Sequence, residues 1–259
     1  MTPAPRVVVS MTTFPQATPY AVQAAQSILD GSVLPDKMVC YLNLSEFSSE
    51  GIPPSLRRLS DINPVFEIRT CNLNIRSYLK LIPALTDFPE SLIVTVDDDI
   101  LYDRNMLREL LRLHDRFPTA IVAHRVRKIH IDRPYRHWHK YRWYDFLFMK
   151  IHKSFRNLQT GVGGVLYPPH SLRGGMLDPA LFMQIAPTAD DLWFWAVAAS
   201  NGVPVIPVPY GHSKPRELPK PKDISLATLN YKKGLDRNTD TLNRILRRFP
   251  EIREIMNKE

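Results

Sequence analysis

The chain has 259 residues, 44% hydrophobic and 23% charged, which describes one globular domain with a sizeable core and excludes fibrous and disordered classes. No apolar run reaches the ~18–20 residues that span a bilayer, and Cys40 and Cys71 make neither a disulfide framework nor a CxxC metal knuckle. The net charge of +8 gathers in residues 127–156, with nine Lys/Arg against two Asp, and in residues 214–259, with twelve Lys/Arg against seven Asp/Glu. An otherwise acidic body with basic flanks points to an anionic partner. The Met1–Pro15 segment lacks a signal-peptide layout, so the expected compartment is the cytoplasm.

Arg6–Met11 is a β-branched run that reads as a buried first strand, ended by Thr12-Thr13-Phe14-Pro15. Tyr20–Leu29 has helical content up to Gly31, Met38–Leu44 is a second strand, and Val65–Cys71 a third. Ser77–Leu85 reads as a short helix interrupted by Pro83. Ser91–Val96 is a fourth strand running straight into Asp97-Asp98-Asp99. Asn105–Phe117 carries Met106, Leu107, Leu110, Leu111 and His114 at helical spacing, and Ala120–His124 is a fifth strand. Apolar strands alternating with helices predict an α/β fold with a mostly parallel sheet covered on both faces.

The alternation then breaks. Residues 127–158 interleave aromatic side chains with basic residues and four histidines, and Thr160–Pro169 is glycine-rich and then extended. Pro179–Ser200 is helical with a break over Ala186–Asp191, its second half being Leu192–Ser200, stopped by Asn201-Gly202. Val203–Pro209 is a last strand, and the tail becomes helical around Thr239–Phe249.

The chemistry sits at the breaks. In open α/β sheets ligands bind beyond the carboxyl ends of strands, and three adjacent carboxylates need a counter-charge that Mg²⁺ or Mn²⁺, bridging to phosphates, supplies. On extended backbone Asp97 and Asp99 face one side and Asp98 the other. Gly161, Gly163 and Gly164 allow close approach of a ligand, although the loop matches neither GxGxxG nor GxxxxGK[ST]. Of Asp190 and Asp191, one is expected to cap the following helix while the other faces the cleft as a general base, beside an aromatic wall of Trp193 or Trp195. His212, after the last strand, is a candidate metal ligand.

In order and spacing, Asp97-Asp98-Asp99, Gly161–Gly164, Ala189-Asp190-Asp191 and His212 resemble the landmarks of nucleotide-sugar-dependent glycosyltransferases of the GT-A (Rossmann-like) fold. Ser77–Leu85 is similar to the lysine-bearing segment of bacterial polysaccharide glycosyltransferases, although Leu73-Asn74-Ile75-Arg76 departs from the usual lead-in and Asp190 stands where Glu is usual. The resemblance covers about residues 6–213. It implies a 1–213 domain, with a nucleotide-binding part (1–126) and an acceptor and catalytic part (127–213), followed by a basic extension (214–259).

It also implies roles. Asp99 and His212 hold Mn²⁺ or Mg²⁺. Asp97, with Asp98 beside it, contacts the donor ribose or sugar, Thr12 and Thr13 lie near the base, and Lys80 lies near the nucleotide. Gly163 and Gly164 line the acceptor side, and Asp191 is the base with Asp190 adjacent. The implied donor is a UDP-sugar and the acceptor a glycan or lipid-linked sugar of surface polysaccharide. The basic and aromatic 127–156 segment, including Lys150, Lys153 and Arg156, has the composition of an interfacial anchor, so peripheral contact with an anionic membrane at the inner face of the cytoplasmic membrane is expected. A metal-dependent phosphohydrolase is the alternative. A nucleic-acid binder is not expected, because RRM, KH and zinc signatures are missing from the sequence. The oligomeric state is open.

Overall fold

Val7, Val8 and Val9 open the first strand because β-branched side chains fit a pleated, buried surface. The computed structural model describes residues 6–47, 51–142, 144–148, 152–209, 215–219 and 236–258. In chain order its elements are β1 (Val7–Thr12), α1 (Thr18–Leu29), β2 (Lys37–Asn43), α2 (Pro54–Ile62), β3 (Phe66–Cys71), α3 (Ile82–Asp87), β4 (Leu92–Thr95), β5 (Ile100–Leu101), α4 (Met106–Arg116), β6 (Ile121–Ala123), β7 (Val126–Lys128), α5 (Asp145–Phe148), β8 (Asn157–Gln159), β9 (Val165–Tyr167), α6 (Pro179–Ile185), α7 (Asp190–Ser200), β10 (Val205–Pro207), β11 (Arg216–Glu217), α8 (Arg237–Arg248) and α9 (Pro250–Asn257).

Seven strands form one sheet in the order β10-β6-β9-β4-β1-β2-β3. Its pairings are parallel except those of β9, which runs antiparallel between β4 and β6. The alternation of side chains divides the core in two. Val8, Val39, Tyr41 and Ile93 face one layer with α6, α7, α8 and α9, while Val9, Met11, Met38 and Val94 face the other with α1, α2 and α4. A sheet covered on both faces is what the apolar strands predict.

Several local expectations change. Pro83 does not interrupt a helix: Arg76–Lys80 is a 3-10 turn and Pro83 sits in the first turn of α3, where its missing N–H costs nothing. Helix α2 is additional to the sequence expectations, with Pro54 in its first turn and Leu56 and Leu59 buried. The aromatic-basic stretch contributes β7, which pairs antiparallel with β8. The tail's helices enter the main core, where Leu242, Ile245, Leu246, Ile252 and Met256 pack with α7. Arg156, one of the residues of the expected interfacial anchor, donates to the Met256 carbonyl (3.0 Å) and to Asn257 Oδ1 (3.0 Å), fastening α9. Tyr135 and Trp138 are buried, and Tyr144 and Leu147 are exposed. Lys150 and Trp143 lie outside the described residues.

Candidate active site

A cleft of about 820 Å³ opens beyond the carboxyl ends of β1 and β4. Thr12 and Thr13 close one side, Asp97, Asp98 and Asp99 the floor, and Asp190 and Asp191, in the first turn of α7, the far side. This is the edge where an open α/β sheet presents its strand ends to a ligand.

Lys80 is the hinge of the charge arrangement. It is buried at the end of the 3-10 turn, with Nζ 2.8 Å from Asp97 Oδ1 and 3.0 Å from Asp190 Oδ2. The Asp97 contact is a hydrogen bond, whereas the Asp190 oxygen meets the ammonium as an ion pair without hydrogen-bond alignment. Burial alone would pull the lysine's pKa down, but the charges of Asp190, Asp97 and Asp191 together hold it well above the ordinary lysine value. One cation therefore serves three carboxylates.

Among them Asp191 has its proton affinity raised. Burial, and then the charge of Asp190, push its pKa up to about 7, against the opposing pull of Lys80 and of the Gly161 N–H. That N–H donates to both carboxylate oxygens, at 3.2 and 3.3 Å. Neither Asp190 nor Asp191 caps α7: the N-cap residue is Ala189 and makes no side-chain cap bond. Asp191 is instead tied to the glycine turn thirty residues earlier, which leaves a carboxylate poised near neutrality at the cleft wall.

The acidic turn is not extended. Residues Asp98 and Asp99 form a turn between β4 and β5, which breaks the alternation argued for extended backbone. Asp98 and Asp97 nevertheless meet different partners. Thr13 Oγ1 donates to Asp98 Oδ2 at 2.7 Å, while the Asp97 N–H donates to the Tyr102 hydroxyl at 2.7 Å. The Leu218 N–H, just after β11, donates to the Asp99 carbonyl at 2.7 Å, so β11 braces the turn from outside. Thr12 Oγ1 donates to the Tyr41 carbonyl at 2.8 Å.

Other expected positions lie elsewhere. Gly163 and Gly164 are not on the cleft wall. A Cβ on Gly163 would sit 2.8 Å from His124 Cβ, and one on Gly164, whose φ is 86°, would sit 2.9 Å from Met106 Sδ. Both glycines let the loop pack against β6 and α4. The glycine that meets the site is Gly161, where a Cβ would stand 2.8 Å from Asp97 Oδ1 and 3.0 Å from Lys80 Nζ. Trp193 and Trp195 do not wall Asp191. They point into the core and donate to the carbonyls of Met176 (2.8 Å) and Phe155 (2.7 Å). The raised pKa of Asp191 arises from burial and Asp190 instead. His212 lies outside the described residues.

Sequence reasoning did not single out Arg125, Arg127 or Asn238, which line the cleft together with Tyr135 of the aromatic segment. Arg127 stacks on the Tyr135 ring at 4.5 Å, and the Tyr135 N–H donates to Thr239 Oγ1 at 2.7 Å, which joins α8 to the cleft wall. Of these only Arg127 lies in the aromatic and basic 127–156 segment, where its neighbours could have drawn attention to it; Arg125 and Asn238 carry no local signal.

Among the described residues no three His, Cys, Asp or Glu side chains converge as a closed metal cage would require. The Asp97–Asp99 turn fits a different kind of site, an open one in which one or two carboxylates hold a divalent cation and a bound phosphate completes its shell.

No family model and no curated protein sequence matches the chain. In three dimensions it is similar to the mannosyltransferase PcManGT from Pyrobaculum calidifontis, solved in complex with GDP-Man and Mn²⁺, with a TM-score of 0.54 and 18% identity over 81% of this chain and 56% of that one. The chain thus spans little more than half the length of that protein. S. aureus TarS aligns over 94% of this chain and 71% of that one at 11% identity, with a TM-score of 0.49. The likeness to PcManGT establishes the fold, an α/β arrangement of the Rossmann-like GT-A kind.

Proposed function

We propose that the protein is a metal-dependent glycosyltransferase that moves a sugar from a nucleotide-sugar to a glycan or lipid-linked acceptor of surface polysaccharide. The observation that carries this reading is Asp191: a carboxylate with its pKa raised to about 7, facing a cleft whose opposite floor is an acidic turn at a strand end. A UDP-sugar is the first donor to test, because the sequence resemblance implies it. A GDP-sugar is its rival, since the P. calidifontis protein was solved with GDP-Man.

The chain's own residues account for most of the work. Asp191 Oδ accepts the proton of the acceptor hydroxyl as that oxygen attacks the anomeric carbon, and the bond to the diphosphate oxygen breaks. Lys80 holds Asp97 and Asp190 in place, so that Asp97 meets the ribose or sugar hydroxyls in a fixed direction. Thr13, held by Asp98, shapes the side where the base lies. Asp99, with His212 as the second protein ligand of this reading, would hold a divalent cation, which would supply the positive charge that neutralises the leaving diphosphate.

Nucleotide binding tests the reading directly. Titration with UDP- and GDP-sugars in Mn²⁺ should show micromolar to millimolar affinity, weakened at least about tenfold in EDTA and to a similar degree by Asp99→Asn, since charge-assisted contacts to the diphosphate are lost. Binding that is indifferent to metal would overturn the role of the acidic turn. Release of free sugar or phosphate from the donor, at equal rates with and without acceptor, would favour the phosphohydrolase.

Gly161→Ala provides a separate check. The added methyl meets the far ends of the Asp97 and Lys80 side chains rather than backbone, so the fold should tolerate it, with a loss of about 1–3 kcal/mol from disturbing this buried pair. The Lys80–Asp97 pair must open to make room, and donor affinity should fall about tenfold. Unchanged affinity would show that this pair plays no part in binding the donor.

A further inference from the structure

Beside the cleft lies a second pocket of about 440 Å³, lined by Arg76, Pro187, Thr188, Arg237, Asp240, Thr241 and Arg244. Arg76 and Thr188 line both cavities, so the two adjoin, and Thr188 lies two residues before the first turn of α7. Residues 237, 240, 241 and 244 are spaced three and four apart on α8 and present one face of that helix to the pocket.

Three guanidiniums against one carboxylate leave this pocket with a net charge of +2. The ion pairs of described arginines involve Arg69, Arg125 and Arg133 and none of these three. Among the described residues Arg244 Nη2 donates to Thr241 Oγ1, at 3.1 Å. Arg76 has a φ of 55°, an uncommon left-handed conformation for a residue with a side chain, at the ridge between the two cavities. Arginines gathered on one concave surface without carboxylate partners suit a ligand that brings its own negative charge.

We propose that this side pocket binds a phosphoryl group of the acceptor, with Arg237 and Arg244 as its main ligands and Arg76 at the junction with the cleft. The inference rests on the transferase reading and adds the class of acceptor, a phosphorylated sugar or lipid-borne sugar phosphate. A phosphomonoester carries about −1.5 to −2 charge at neutral pH, which matches the pocket's excess. A phosphate seated there lies beside the Thr188–Asp191 segment, and the acceptor's free hydroxyl then reaches Asp191 from the side opposite the acidic turn.

The test uses the full chain in EDTA, so that phosphate cannot bind through a metal. Inorganic phosphate titrated by calorimetry should bind in the millimolar range, and acetate at matched ionic strength should not. Arg237→Gln/Arg244→Gln should weaken phosphate at least about tenfold, while Arg237→Lys/Arg244→Lys retains part of the affinity. Both variants should keep the wild-type thermal midpoint within a few degrees and bind the nucleotide-sugar in Mn²⁺ within twofold of wild type. Retention on phosphatidate vesicles, lost in the Gln variant, assigns the phosphate to a lipid-borne acceptor. Phosphate binding without retention assigns it to a soluble sugar phosphate, and either result supports the site. Equal binding of acetate, undiminished phosphate binding in the Gln variant, or displacement of phosphate by a nucleoside diphosphate would overturn it. Failure of Mn²⁺-dependent nucleotide binding by the wild type would fall on the transferase reading, whatever the phosphate result.

Discussion

Asp191→Asn is expected to lower kcat about 10²–10⁴-fold while leaving nucleotide-sugar affinity within about twofold of wild type. The asparagine keeps the shape and can still accept from the Gly161 N–H, so the turn stays in place, but it cannot take a proton from the acceptor hydroxyl. The pH profile carries a sign. A base must be unprotonated to act, and with the Asp191 pKa raised to about 7 the wild-type kcat should climb from mildly acidic to neutral pH and level off above it. Asp190→Asn removes the neighbouring charge that helps raise this pKa, so its acidic limb should move to lower pH. Steady-state rates between pH 5 and 9 read both effects. Near-normal turnover of Asp191→Asn would leave the carboxylate only its role as an anchor for the glycine turn.

Lys80→Met should produce the largest loss of stability of any single change in the site, about 3–5 kcal/mol, because it strands buried carboxylates that the ammonium now compensates. For a chain of this length that is a fall in thermal midpoint on the order of 10 °C. The wild-type lysine itself stays charged from pH 5 to 9, since its pKa lies well above the ordinary value, so any change in its contribution over that range comes from the carboxylates around it. The deficit of the variant should shrink from pH 8 toward pH 5, where Asp191, its pKa raised to about 7, takes up a proton and one fewer buried charge is stranded. Thermal unfolding of both proteins at pH 5 and pH 8 measures this difference. A midpoint unchanged at pH 8 would mean that water reaches the site freely and the pair is only a surface contact.

The two substitutions separate functions that a single glance at the cleft would merge. Asp191 acts on the reacting hydroxyl, whereas Lys80 holds the charges around it. A variant that loses turnover with its midpoint intact belongs to the first kind, and one that loses both belongs to the second.

By itself the sequence determined what depends on neighbours along the chain. The β-branched runs Val7–Val9 and Leu92–Thr95, the helical spacing of Met106, Leu107 and Leu110, and the punctuation by Gly31 and Gly202 follow from backbone sterics and from burial at periods of two and 3.6. They specify the α/β class and place Asp97–Asp99 at a strand end and Asp190–Asp191 at a helix start. What the tertiary structure alone decided is which of these groups meet. Lys80 and Asp190 are 110 positions apart, and no local rule pairs them. Gly161, Gly163 and Gly164 are equivalent by type, yet the direction of the turn between β8 and β9 sends only the first toward Asp97. Helix α7 is buried nearly all round, so its sequence has no apolar stripe to show that Trp193 and Trp195 face the core while Asp191 faces the cleft. The arginines of α8 reach the side pocket for a different reason: the stripe of Leu242, Ile245 and Leu246 is legible as a buried face, but that it packs on α7 is a long-range choice that periodicity does not encode.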